Sequence, residues 1–86
     1  MLYVYALLSL KDNRFYTGYT RDLKQRIEQH NLGKVGTTRN RRPLQLVYYE
    51  ACLDQADALH REKYLKTTWG IRYLKNRLRF YLGSKA

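Results

Sequence analysis

Tyr5, Tyr16, Arg26, His30 and Glu62 are the side chains of this 86-residue sequence best suited to chemistry. A phosphodiester is already anionic and resists attack. Cleaving one takes positive charge at the phosphate, an activated water and a proton for the leaving oxygen. The planar fork of Arg26 suits a phosphate. The hard oxygens of Glu62 suit a divalent cation, Mg²⁺ or Mn²⁺. Tyr5 is the candidate for the group that takes a proton from the attacking water. Tyr16 would hydrogen-bond the phosphate or help position that water. A phenol has an ordinary pKa of about 10, so its ionised form becomes accessible only beside cationic neighbours. His30 lies one turn beyond Arg26 and could carry protons or contact phosphate. Each residue also has a plain structural reading. The tyrosines can be cross-strand packing, Arg26 a solvated helix residue and His30 a satisfied half-buried histidine. Glu62, on an apolar helix face, needs a partner; that partner is a cation or a local Lys or Arg.

The elements that must bring these residues together are readable from pattern. Leu2 to Leu8 alternates as a strand, with Tyr3, Tyr5 and Leu7 on one face. Lys11-Asp12-Asn13 supplies turn chemistry, and Arg14 to Tyr19 returns as a second, antiparallel strand. Tyr16 and Gly18 share a face of it, and Gly18 leaves room where a backbone approaches a ligand. Thr20 is the expected cap of a helix that runs to about Asn31 and stops at Gly33. Leu23, Ile27 and His30 form its inner stripe, with Arg26 on the edge. Lys34 to Arg42 is a basic loop, and Leu44 to Glu50 a third strand. Asp54 caps a second helix carrying Ala58, Leu59, Leu65 and Trp69, with Glu62 inside that arc. Gly70 breaks the pattern. A third helix carries Ile71, Leu74, Leu78, Tyr81 and Leu82, and Trp69 is expected in the core with that stripe. The order β-β-α-β-α-α gives an α/β fold: a small three-stranded antiparallel sheet flanked by helices, one domain over residues 1–86.

Seventeen Lys and Arg against seven Asp and Glu give a net charge of +10, a field that draws in polyanions. Thr37, Thr38 and Arg39 on the basic loop are candidates for phosphate binding, and Arg39, Arg41 and Arg42 for the DNA backbone. A lone cysteine, Cys52, excludes a disulfide framework and a cysteine-based zinc site, and fits a reducing cytoplasm. The apolar start MLYVYALLSL is too short to span a bilayer, so no membrane partner is expected.

Tyr3-Val4-Tyr5, the short hairpin and Tyr16-Thr17-Gly18 resemble the paired motif of the GIY-YIG nuclease superfamily. Arg26, ten residues after Tyr16, and Glu62 on a later helix complete the likeness, which covers nearly the whole chain. It is closest to stand-alone members related to the N-terminal nuclease domain of the bacterial excision-repair nuclease. The resemblance implies a DNA endonuclease using one divalent cation, linked to DNA repair or processing. The chain departs from the pattern at Tyr3, where glycine is usual, at Thr17, where isoleucine or valine is, and at Tyr19, where many members carry lysine. Asn76 is the nearest counterpart to a late asparagine. Family members borrow target recognition from an appended domain, absent from this one-domain reading. The substrate would then be branched or single-stranded DNA, or a protein partner would give specificity. The competing readings are a non-catalytic basic nucleic-acid-binding module and a structural component of a larger basic assembly.

Overall fold

The computed structural model describes residues 1–84. Its sheet has the order β2-β1-β3, with β1 Leu2–Ser9, β2 Phe15–Thr20 and β3 Leu44–Cys52, both neighbours antiparallel to β1. Alternation in β1 serves two cores, because the central strand is covered on both sides. Leu2, Val4 and Ala6 meet Ala58, Leu65 and Leu74 of the helices α2 (Gln55–Leu65) and α3 (Thr68–Arg77). Tyr5 and Leu7 point the other way, towards Leu23 and Ile27 of α1 (Leu23–Asn31). The β1–β3 register slips between Ala6 and Leu7, which leaves Val47 unpaired as a bulge.

α1 begins two residues later than the sequence suggests. Asp22, not Thr20, is the cap: its side chain accepts the Gln25 N–H at 3.0 Å. Thr20 still pairs with Tyr3 as the last rung of β2, and its hydroxyl accepts the Asp22 N–H instead. α1 ends as expected before Gly33, whose φ is +78°. A single 3₁₀ turn, Arg39–Arg41, then leads into β3. Asn31 ties the end of α1 to the start of β3, its side chain bonding both the N–H and the C=O of Leu44 at 3.1 Å.

The sharpest correction concerns the C-terminal helices. α2 stops at Leu65, and Thr67 caps α3 by accepting the Gly70 N–H at 3.1 Å. Gly70 therefore lies inside a helix and does not break one. It is there because α3 crosses the end of α2 so closely that a Cβ would fall inside the backbone of Tyr64 and Leu65. The restart at Thr67 also rotates the helical phase. Trp69 ends 67% exposed instead of in the core, and Leu59 is exposed as well. The expected third helix is divided at Leu78 into α3 and a short α4, Arg79–Ser84.

Candidate active site

An open cavity of about 740 Å³ folds around β2, the edge strand, and is lined from both of its faces. Tyr5, Tyr16, Gly18, Arg26, His30, Thr37, Thr38 and Glu62 all border it. Residues from two strands, two helices and the basic loop thus converge, because the covered β1 carries Tyr5 into the middle of them.

Tyr5 is the most constrained of the set. It is 2% exposed, and its ring lies across Gly18, its direct partner on β2. A Cβ at Gly18 would fall 2.5 Å from the Tyr5 hydroxyl oxygen. The absence of a side chain there makes room for the phenol, not for a ligand. The hydroxyl lies 2.9 Å from His30 Nε2 and accepts from Arg26 Nε at 3.4 Å. His30 Nδ1 in turn lies 2.7 Å from the Thr38 hydroxyl. Thr38 is buried at 1% exposure, so this loop residue faces inward as the outer member of a Tyr5–His30–Thr38 chain. Burial pushes the Tyr5 phenol above its ordinary pKa, and Arg26 opposes that rise through a hydrogen bond and its charge. Burial, and then the charge of Arg26, push His30 below its ordinary value, so its ring is neutral near pH 7.

Tyr16 is engaged differently. It lies diagonal to Tyr5, opposite Leu7, and its hydroxyl donates to Asp12 Oδ2 at 3.0 Å. Burial and this bond raise its pKa and keep it a protonated donor. Burial works against ionisation of Asp12, but the Arg14 N–H and the Tyr16 hydroxyl outweigh it, and its carboxyl is held below the ordinary range. Arg41 closes this group from the loop, 3.4 Å from Asp12. Asp12 was invisible as a site neighbour in the sequence, where it reads only as a turn residue.

Glu62 is the sole acidic residue bordering the cavity. Its side chain is 15% exposed and pairs with Lys66 at 3.3 Å, one helical turn on. Lys66, also on the cavity wall, was legible from that spacing. Among the described residues no three His, Cys, Asp or Glu side chains gather into a group able to hold a metal ion. Of the remaining loop candidates, Thr37 is exposed on the cavity wall. Arg39 and Arg42 are exposed, and Arg42 donates to the Arg39 carbonyl at 2.9 Å, stitching the loop. Asn76 is exposed and does not border the cavity. No described helix is long and apolar enough to cross a membrane.

No solved structure matches the chain closely enough to inform this geometry. Curated relatives do match it. The UPF0213 protein in the ldhD 5′ region of Pediococcus acidilactici is 40% identical over 80 residues, 86% of this chain and 82% of its own. A UPF0213 protein of Staphylococcus haemolyticus is 46% identical over 66 residues, 76% of this chain and 79% of its own. A third, from Haloquadratum walsbyi, is 41% identical over 66 residues, 76% of this chain and 73% of its own. The profile of the GIY-YIG catalytic domain, a nuclease-type domain, matches residues 1–73. That span contains both tyrosines of the hairpin, Arg26, His30 and Glu62, and the chain belongs to the GIY-YIG catalytic domain family.

Proposed function

We propose that this protein is a divalent-metal-dependent endonuclease that hydrolyses DNA phosphodiester bonds. The observation that carries the reading is the position of the Tyr5 hydroxyl. It lies between a neutral imidazole at 2.9 Å and a guanidinium at 3.4 Å, on the wall of a cavity that also holds Glu62.

Both phenols sit above their ordinary pKa, so neither is a base by itself. Tyr5 differs from Tyr16 in having an acceptor for its proton. As the Tyr5 oxygen takes a proton from the attacking water, its own proton passes to His30 Nε2. His30 does this in the tautomer whose Nδ1–H is donated to Thr38. Phenol and imidazole end as neutral phenol and imidazolium, and the water ends as the oxygen bonded to phosphorus. Arg26, through the nitrogens not turned to Tyr5, neutralises charge on the phosphate. Tyr16, a held donor, hydrogen-bonds a phosphate oxygen or the water.

Glu62 would hold the cation. One carboxylate with the remaining positions left to water and phosphate oxygens is a donor set that suits Mg²⁺ or Mn²⁺. Its partner Lys66 is 56% exposed and can swing away at small cost, since such pairs contribute about 0.5 kcal/mol or less. The cation would stabilise developing charge on the phosphoryl group.

The test is cleavage of labelled single-stranded, duplex and branched DNA with Mg²⁺ or Mn²⁺. Wild type should cut at least one of them, and Glu62→Gln should lose roughly 100-fold or more, in line with removal of a charge-stabilising group. Equal cutting by both proteins would end the assignment. Salt-sensitive binding with no cutting under any metal would instead favour a non-catalytic nucleic-acid-binding module.

A further inference from the structure

All seven acidic residues of the chain lie at or before Glu62. From residue 63 to 84 there are six cations, Lys63, Lys66, Arg72, Lys75, Arg77 and Arg79, and no Asp or Glu. Of these only Lys66 has an acidic partner among the described residues. Two large aromatic side chains of the same stretch are turned to water, Trp69 at 67% and Phe80 at 80% exposure. Each carries an arginine over its ring, Arg72 at 5.2 Å from the indole centroid and Arg79 at 4.8 Å from the phenyl. Trp69 follows Lys66 and precedes Ile71, two residues of the cavity wall. The helical restart at Thr67 holds it out there, so its exposure is built by a capped turn and a close helix crossing.

We propose that Trp69, backed by Arg72, is a stacking platform for an unpaired base of a DNA strand whose phosphate enters the cavity. This deepens the hydrolytic reading above and rests on it for the identity of the ligand. An exposed indole flanked by cations and free of acidic neighbours fits a single strand on two counts. The cations track its phosphates, and every base offers a π-face to the ring. A protein partner matches this surface less well, since interface cores are depleted of charge and this one is charged throughout. Paired bases are stacked on one another and offer no free face, so the platform selects substrates with a single-stranded segment beside the scissile bond.

Trp69 is the only tryptophan in the chain, so its fluorescence reports on this site alone. The experiment titrates the full-length protein, in EDTA to prevent cutting, with oligothymidylate, an abasic strand of equal length and a blunt duplex. Labelled-strand anisotropy is read in parallel. Oligothymidylate should quench Trp69, and the abasic strand and the duplex should not. Trp69→Ala should weaken oligothymidylate binding by roughly 5- to 150-fold, the range for loss of one stacked base, with Trp69→Phe retaining most of it. Both variants should melt with wild type, because the side chain is mostly exposed.

Binding that is equal for base-bearing and abasic strands, with Trp69 unmoved, would overturn the proposal. So would a Trp69 signal that changes with protein concentration alone and a dimer lost in Trp69→Ala, which would make the face a contact between copies. Tenfold tighter binding of oligouridylate would reassign the strand to RNA. Cleavage assays separate the two readings. Quenching by a strand that is never cut leaves the platform standing and removes the hydrolase; cutting with Trp69 unaffected does the reverse.

Discussion

Replacing Gly18 by alanine should disable the site without touching any group that does chemistry. The added Cβ would fall 2.5 Å from the Tyr5 oxygen and 2.7 Å from its Cζ, where ordinary contact begins at 3.4 Å. The phenol must give way by about 0.9 Å. It has little room to do so, because Tyr5 is 2% exposed and His30 and Arg26 stand at its hydroxyl. Overpacking of this kind costs about 1–3 kcal/mol. For a domain of this length that lowers the melting temperature by roughly 4–20 °C. A catalytic atom displaced by about 1 Å costs on the order of 100-fold in rate. Melting by circular dichroism and single-turnover cleavage of labelled DNA read the two effects separately. Tyr5→Leu removes the atoms that clash, so adding Gly18→Ala to it should cost little further stability. The coupling between the two positions should be about 1–3 kcal/mol. Gly18→Ala melting within 2 °C of wild type and cutting within about twofold of it would refute both the close approach and the need for Tyr5 to stay where it is.

Three further outcomes follow from named contacts. His30 is held below its ordinary pKa of 6.5, so the unfolded chain takes up its proton first as the pH falls. Stability contributed by the neutral ring is complete above 6.5 and is lost as pH falls from there towards the folded value; thermal melts should show this slope, and His30→Gln should flatten it. Cleavage should decline over the same acidic range, because a protonated Nε2 cannot receive the Tyr5 proton. Gly70→Ala should cost more stability than Gly18→Ala, since its Cβ meets backbone and not a side-chain tip, and denaturant melts should show it largely unfolded at 37 °C. Asp12→Asn should bring the Tyr16 pKa back towards its ordinary 10, because the charge that helps hold it up is gone, and an ultraviolet titration of tyrosine ionisation checks this.

What the sequence revealed and what it hid divide along a physical line. Signals carried by alternation and by local turn chemistry were legible. The hairpin, the antiparallel sheet and the inner stripe of α1 follow from patterns of two and of 3.6 residues that survive into the fold. Phase across a cap was not. Apolar Trp69 reads as core when α2 is continued through it, but Thr67 ends one helix and starts another, and Trp69 turns outward. Gly70 misleads for the same reason, since a close crossing and a helix break both call for glycine. Inward-facing loop residues were also hidden. Thr38 looks like a phosphate-binding loop hydroxyl, yet it is buried against His30, and only the path of the chain after Gly33 turns it inward.

The two hairpin tyrosines look equivalent in sequence and are not equivalent in space, and the difference decides which can act as a base. A phenol that is to take a proton from water must be able to release its own. Tyr16 points its proton at Asp12, a carboxylate held below the ordinary range and therefore a weak acceptor; transfer to it would run strongly uphill. Tyr5 has the imidazole of His30, whose ordinary pKa of 6.5 lies well above that of any carboxylate here and which is neutral near pH 7. Arg26 donates to the same oxygen and favours whatever negative charge passes through it. Burial raises both phenols, but only at Tyr5 is that cost met by an acceptor and a cation together. The choice traces back to strand order. β1 is the covered central strand and presents Tyr5 to α1, whereas Tyr16 stands near the open end of the hairpin, within reach of its own turn.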